Sequence, residues 1–246
     1  QDQIMSALPS EAGPIKYQQV SVAAVTLIAL LAPLVVYLLL WLRRRSQRNT
    51  VLLCGISDSG KTTLYSQLVH SKPLPTVTSM QANQSEPLAV GTAASKRRLR
   101  VVDLPGHERL RRQYLDKYKS SARAVVFVID ANSIAKELKD CAECLYNLLT
   151  ESDIQGRTKV LILCNKQDQA MAKTDAYVRL ALERELETLR TTRAGALAGL
   201  SGGSAERRLG REGKKFEFTD SGCQVDFACC SALDDVTCVR QWLDRV

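Results

Sequence analysis

Gly55-Ile-Ser-Asp-Ser-Gly-Lys-Thr62 follows directly on the apolar run Val51–Cys54 and opens a helical pattern, Lys61–Val69. The three together leave little choice of geometry: a buried strand, a tight loop bounded by glycines, and a helix whose first-turn N–H groups point back into the loop. Such a loop is an anion cradle, because unpaired backbone donors and the positive end of the helix converge on one point. Gly55, Ile56, Ser57, Asp58, Ser59, Gly60, Lys61, Thr62 and Thr63 are therefore the expected phosphate contacts. Lys61 would reach the β- and γ-phosphates, and the Thr62 hydroxyl would bind Mg²⁺.

From Thr50 onward, strand-like and helix-like segments alternate. Val51–Gly55, Leu99–Asp103, Ala124–Asp130, Val160–Asn165 and Val225–Cys229 are short apolar runs suited to buried parallel strands. Between them Ile134, Leu138, Cys141, Leu145, Leu148 and Leu149 recur at helix spacing, with Asn132 or Ser133 placed to cap. Tyr177, Leu182, Leu186 and Leu189 mark a further helix, and Val236, Val239, Trp242, Leu243 and Val246 a last one. This alternation predicts an α/β doubly wound sheet with helices on both faces. Residues 191–213 hold six of the chain's 13 glycines and no apolar period, and are expected to form a flexible insertion.

Ahead of this domain, Val20–Leu42 runs for 23 residues without a charge. As a helix it reaches ~35 Å, enough to cross a ~30 Å hydrocarbon core. Pro33 is tolerable in such a helix, and Tyr17, Tyr37 and Trp41 lie near its ends, where aromatic rings favour the interface. A cleaved leader would carry its basic residues before the apolar run; here Arg43, Arg44, Arg45 and Arg48 follow it. The expectation is one transmembrane helix, 20–42, after a short lumenal segment, 1–19, and before a basic cytosolic linker, 43–49, and a domain at 50–246. The chain opens on Gln1 with its first methionine at Met5, so nothing is read from its first residue. All eight cysteines then lie on the reducing side as free thiols, and Cys141-x-x-Cys144 has no second pair at metal spacing.

The formal charge of +8 divides by region. Residues 1–50 carry five basic and two acidic side chains, and Arg190–Lys215 seven and two, leaving the remainder near neutral. A general phosphate-backbone binder would carry its excess on a folded face, so no direct sequence-specific nucleic-acid partner is expected.

Three more motifs end strands in order. Asp103 closes LRVVD and leads into Leu-Pro-Gly106-His107-Glu108; its carboxylate can hold a Mg²⁺ water, and Gly106 can bring its N–H against a γ-phosphate. Asn165-Lys-Gln-Asp168 follows Val160–Cys164. Asp168 would accept from guanine's ring N–H and exocyclic amine, which adenine cannot supply, Asn165 would brace the phosphate loop, and Lys166 would lie over the base. Ser231-Ala232 would present a backbone N–H to guanine O6. Ligands of open α/β sheets bind at that edge.

With these motifs on the page, the domain resembles the Ras/Arf-type small GTPases. With the apolar run, and through TVTS (Thr76–Ser79), DLPGHERLR, YKSSARAVVFVID and CNKQDQAMAK, the chain is similar to the signal recognition particle receptor beta subunits from the run to its last helix. The resemblance implies a P-loop NTPase small-GTPase fold with a mostly parallel six-stranded sheet, GTP/GDP and Mg²⁺ as ligands, and GTP hydrolysis. It implies anchorage in the endoplasmic reticulum membrane and a heterodimer with the receptor's alpha subunit, and through it an indirect link to the targeting particle and the ribosome. It also implies that Thr76 senses Mg²⁺ and γ-phosphate, with Val77, Thr78 and Ser79 lining the nucleotide; the residues alone do not choose Thr76 over Thr78. His107 stands where Ras-type proteins carry the water-orienting Gln, Leu233 stands where many carry Lys, and Arg109–Lys119 is the switch II helix by position. Two other readings stay open: an Arf-like trafficking GTPase, which the apolar run opposes, and a module that holds GTP as a structural ligand.

Overall fold

A computed structural model describes residues 27, 29–33, 35–39, 48–91, 97–198, 209–211 and 213–246. The chain divides into two units, Gln1–Ser46 and Gln47–Val246. Of the first, the described residues are helical; most of the expected span 20–42, with 1–19 and 43–47, lies outside the described residues. Among the described residues no helix is long and apolar enough to cross a membrane.

In the second unit, β1 (Thr50–Cys54) is buried along its whole length, as a continuous apolar run in a central strand should be. It pairs in parallel with β4 (Arg97–Asp103) on one side and β5 (Ala122–Asp130) on the other. β6 (Lys159–Asn165) adds to β5 and β7 (Gln224–Cys229) to β6, both parallel. β2 (Asn83–Gln84) and β3 (Leu88–Val90) pair antiparallel with the two ends of β4. The sheet therefore counts seven strands where six were expected. The sixth place is split: Ser85 answers the Val101 N–H with its side-chain oxygen, and Pro87, which has no N–H, interrupts the ladder.

Alternate residues of the strands feed two cores, as the two-residue period of a strand demands. On one face Leu52, Val102, Phe127 and Ile162 pack with Leu115 of α2 (Glu108–Tyr118), Leu145 of α3 (Ile134–Leu149) and Leu182 of α4 (Asp175–Ala198). On the other, Val51, Leu53, Val126 and Leu163 meet Leu64 of α1 (Lys61–His70) and Trp242 of α5 (Thr237–Asp244). This is the doubly wound arrangement. Cys141 and Cys144 are buried in α3, where burial pushes the Cys144 thiol up to about 11, and all eight cysteines are free.

Two boundaries differ from expectation. The loop placed at 191–213 begins later, because α4 runs to Ala198. Arg193 holds those turns: its guanidinium lies 4.4 Å from the Tyr146 ring centroid, donates to Asn147 Oδ1 at 2.9 Å and pairs with Glu143 at 3.2 Å. Residues 199–208 and 212 lie outside the described residues. The domain also begins before Thr50, since Arg48 Nη1 donates to the Asp153 carbonyl at 3.0 Å and to Thr158 Oγ1 at 3.4 Å.

Candidate functional site

β1 delivers the chain to the phosphate loop at the sheet's C-terminal edge. Gly60 has φ 89°, and a Cβ there would run into the Asn165 amide, so only glycine fits. Lys61 is 5% exposed and folds back across the loop, donating to the Ile56 carbonyl at 2.5 Å and to Ser59 Oγ at 3.4 Å. Burial pulls its pKa below the usual lysine value, and the Asp103 carboxylate opposes that pull. An anion in the loop would restore the balance in favour of the charged form.

Beside it lies a corner built from three elements. Thr62 Oγ1, in the first turn of α1, donates to Asp103 Oδ2 at 2.8 Å and stands 3.2 Å from Ser79 Oγ. Asn83 Nδ2, from β2, donates to the same Asp103 oxygen at 3.1 Å. Asp103 is fully buried and its other oxygen, Oδ1, has no hydrogen-bond partner among the described residues. Burial raises its carboxyl above the usual carboxylate range, against the pull of Thr62, Asn83 and Lys61. An orphaned buried carboxylate oxygen is costly. A hard cation, or a water on it, supplies the missing partner, and the hydroxyls alongside are the ligand type Mg²⁺ takes. Among the described residues no group of three or more His, Cys, Asp and Glu could hold a metal. One carboxylate with hydroxyls suits an ion that shares its shell with phosphates, as Mg²⁺ does, rather than an all-protein cage.

The hydroxyl in this corner is Ser79, not Thr76. Thr76 Oγ1 lies 3.5 Å from Thr63 Oγ1, and Thr76 and the 86% exposed Val77 line the cavity over the phosphate loop with Thr78 and Ser79. The segment offers three hydroxyls within four residues, and the path from His70 into β2 turns the last of them inward. A cavity of about 510 Å³ lies over the phosphate loop, lined among others by Ser57, Lys61, Thr78, Gly106 and Lys166. Gly106 is pressed onto the loop: a Cβ there would stand 2.6 Å from Ser57 Cα. His107, by contrast, is exposed at the start of α2, does not line the cavity, and makes no side-chain hydrogen bond or ion pair among the described residues.

At the base end, Asn165 is 2% exposed and ties three segments together. Its Nδ2 donates to the Ser59 carbonyl at 2.9 Å, and its Oδ1 accepts from the Ala232 N–H at 2.9 Å and from the Cys230 thiol at 3.7 Å. Asn165 thus links the phosphate loop to the last motif through these hydrogen bonds. Of the Ser231-Ala232 pair expected to offer a backbone N–H to guanine O6, the Ala232 N–H donates to Asn165 in this structure. Lys166, with φ 64°, pairs with Asp130 Oδ2 at 2.6 Å. Burial pushes the Asp130 carboxyl up, but Lys166 and the N–H groups of Asn132 and Ser133 outweigh it and hold it below the usual range. Asp168 Oδ1 accepts from Ser231 Oγ at 2.8 Å, and the Leu233 carbonyl accepts from Gln67 at 3.2 Å.

Asn83, Asp130 and Cys230 join the site without having been singled out from sequence. For Asp130 a signal existed, since it ends the run VVFVID as Asp103 ends LRVVD. Asn83 and Cys230 carry none, because only the fold brings them to Asp103 and Asn165.

The family model described as signal recognition particle receptor beta subunit matches residues 46–225. The signal recognition particle receptor subunit beta of Mus musculus is 42% identical over 235 residues, covering 91% of this chain and 86% of that protein. A structure of the mammalian SRP receptor superposes with a TM-score of 0.71 at 41% identity, covering 80% of this chain and 98% of that one. The SRb-GTP/SRX complex from Chaetomium thermophilum gives 0.60 at 25% identity, covering 80% and 100%. With phosphate loop, buried Asp103, Asn165 and last motif in register along one sheet edge, the chain belongs to the signal recognition particle receptor beta subunit family.

Proposed function

We propose that this chain is the GTP-binding, membrane-anchored partner of a receptor alpha subunit, working at the endoplasmic reticulum in co-translational targeting. The observation that carries the reading is the Thr62–Asp103 corner, with a buried carboxylate oxygen left without a donor beside the phosphate loop. Mg²⁺, when bound there, would offset the charge building between β- and γ-phosphates. Thr62 and Asp103 would hold it, directly or through water. Lys61 would turn from the Ile56 carbonyl to the phosphates, and the Gly106 N–H would meet the γ-phosphate. Asp168 would select guanine over adenine, and Lys166, held by Asp130, would lie along the base. The reaction is phosphoryl transfer to water. The span reading rests on the uncharged run Val20–Leu42 and the arginines behind it, which place the N-terminus in the lumen and the domain in the cytosol. Docking of an alpha subunit is supported by the Chaetomium relative, solved with SRX and GTP.

The exposed His107 favours a second reading, in which GTP is held as a structural ligand with negligible turnover. Capture of alpha subunit by the full chain in detergent, loaded with GTP or with GDP, tests both. Capture that requires GTP, with turnover rising on addition of the alpha subunit, supports the gate. Equal capture in both states, with turnover at background, would leave an anchor without a switch.

A further inference from the structure

Every parallel strand of the sheet begins at one edge, opposite the phosphate loop, and that edge is basic. β4 overhangs its neighbour: Arg100 is in register with Thr50, so Arg97 and Arg98 project beyond the start of β1. Arg97, Arg98 and Arg100 are exposed, and none has an ion-pair or side-chain hydrogen-bond partner among the described residues. Arg157, two residues before β6, is likewise exposed and unpaired. Arg48 lies close enough to Arg157 for the two charges to oppose each other, and Asp153 is the carboxylate beside it. Asp116 and Glu151 are both occupied by Lys119. The other edge carries Asp58, Asp103, Asp130 and Asp168 at or after the strand ends, with Lys61 beside Asp103 and Lys166 paired to Asp130.

The excess of arginine at the strand-start edge coincides with the point of chain entry. Arg48 and Asn49 lead into β1 at the basic edge, and only residues 43–48 stand between Leu42 and Asn49. That connector reaches at most about 25 Å, a few Debye lengths of about 8 Å. We propose that the strand-start edge, through Arg97, Arg98, Arg100 and Arg157, rests on an anionic lipid headgroup layer. The proposal rests on the reading of Val20–Leu42 as a membrane span. Guanidinium groups suit it, because their planar forks take phosphate and carboxylate oxygens in pairs. Docked this way, the domain turns the phosphate loop and both switch segments to the cytosol, open to a partner.

The test uses the full chain in nanodiscs of phosphatidylcholine alone or mixed with phosphatidylserine, read by amide hydrogen exchange. The expected result is slower exchange in 88–100 and 153–158 on the anionic discs, reversed by salt. It should vanish in the charge-reversal variant Arg97→Glu, Arg98→Glu, Arg100→Glu, with GDP affinity unchanged. At roughly fivefold per arginine, the triple change should lower the docked-to-free ratio by roughly a hundredfold or more. Equal exchange on both discs, or protection that survives in the variant, would overturn the proposal. So would protection on neutral discs that follows added RNA, which would assign the edge to nucleic acid. Release of the chain from the discs by alkaline carbonate would instead overturn the span, and the lipid contact with it.

Discussion

Replacing Asn165 by Ala removes the one side chain that joins the phosphate loop to the guanine-side loops. Two buried partners lose their bond: the Ser59 carbonyl and the Ala232 N–H, each at 2.9 Å in the intact chain. Neither gains water, because Asn165 is 2% exposed and alanine does not open the site. A buried group left without a partner costs roughly 1–2 kcal/mol, so the pair amounts to about 3 kcal/mol. For a domain of this size that is a fall in Tm of roughly 6–12 °C. The same change frees the phosphate loop, so GDP affinity should fall with stability. The assay is thermal unfolding of the full chain in detergent, followed by circular dichroism, alongside binding of a fluorescent GDP analogue. A Tm within about 2 °C of the parent, with GDP affinity intact, would refute the assignment of Asn165 as the brace.

Other expectations follow from neighbouring geometry. Asp168→Asn should weaken GTP by roughly a hundredfold or more and strengthen xanthosine triphosphate, whose added carbonyl meets the new amide; competition binding decides. Gly106→Ala puts a Cβ 2.6 Å from Ser57 Cα, and should lower GTP affinity with a stability loss of roughly 1–3 kcal/mol, read by the same unfolding and binding pair. The Asp103 carboxyl is raised by burial, so the folded chain holds that proton more tightly than the unfolded chain does. Asp103's contribution to nucleotide-free stability should therefore be full below the ordinary carboxylate value and decline as pH rises above it, opposite in sign to that of Asp130, while Mg²⁺-dependent stabilisation strengthens over the same window; Tm of the parent compared with Asp103→Asn from about pH 4 to pH 7, with and without Mg²⁺–GDP, shows both signs.

Much of the fold was legible because its signals are local. Five apolar runs gave the parallel strands, the last of them only half-buried at the sheet's edge, and Gly60 and Lys61 could only belong to a strand-loop-helix turn. What escaped is held by contacts between distant segments. The turns after Arg190 have no apolar period, yet they stay helical because Arg193 stacks on Tyr146 and bonds Asn147 and Glu143 across to α3. β2 is two residues long and β3 three, so neither contains enough alternation to read. The same holds at the site. Asp103, Asn165 and Asp168 were readable from position at strand ends, whereas which hydroxyl of Thr76–Ser79 stands beside Thr62 depends on the path of an exposed loop.

β1 is both the strand by which the chain enters the domain and the strand that ends in the phosphate loop. It lies between β4 and β5, parallel to both, with Arg48 fastened to the 153–158 turn just ahead of it. Tension applied through the N-terminal segment therefore runs along β1 and loads its hydrogen bonds on both sides in shear, all at once, rather than peeling them one by one. A mechanical pull from that side is spread over two ladders and the Arg48 clamp before it can reach Gly55. The nucleotide cleft is thus insulated from strain in the segment that precedes β1.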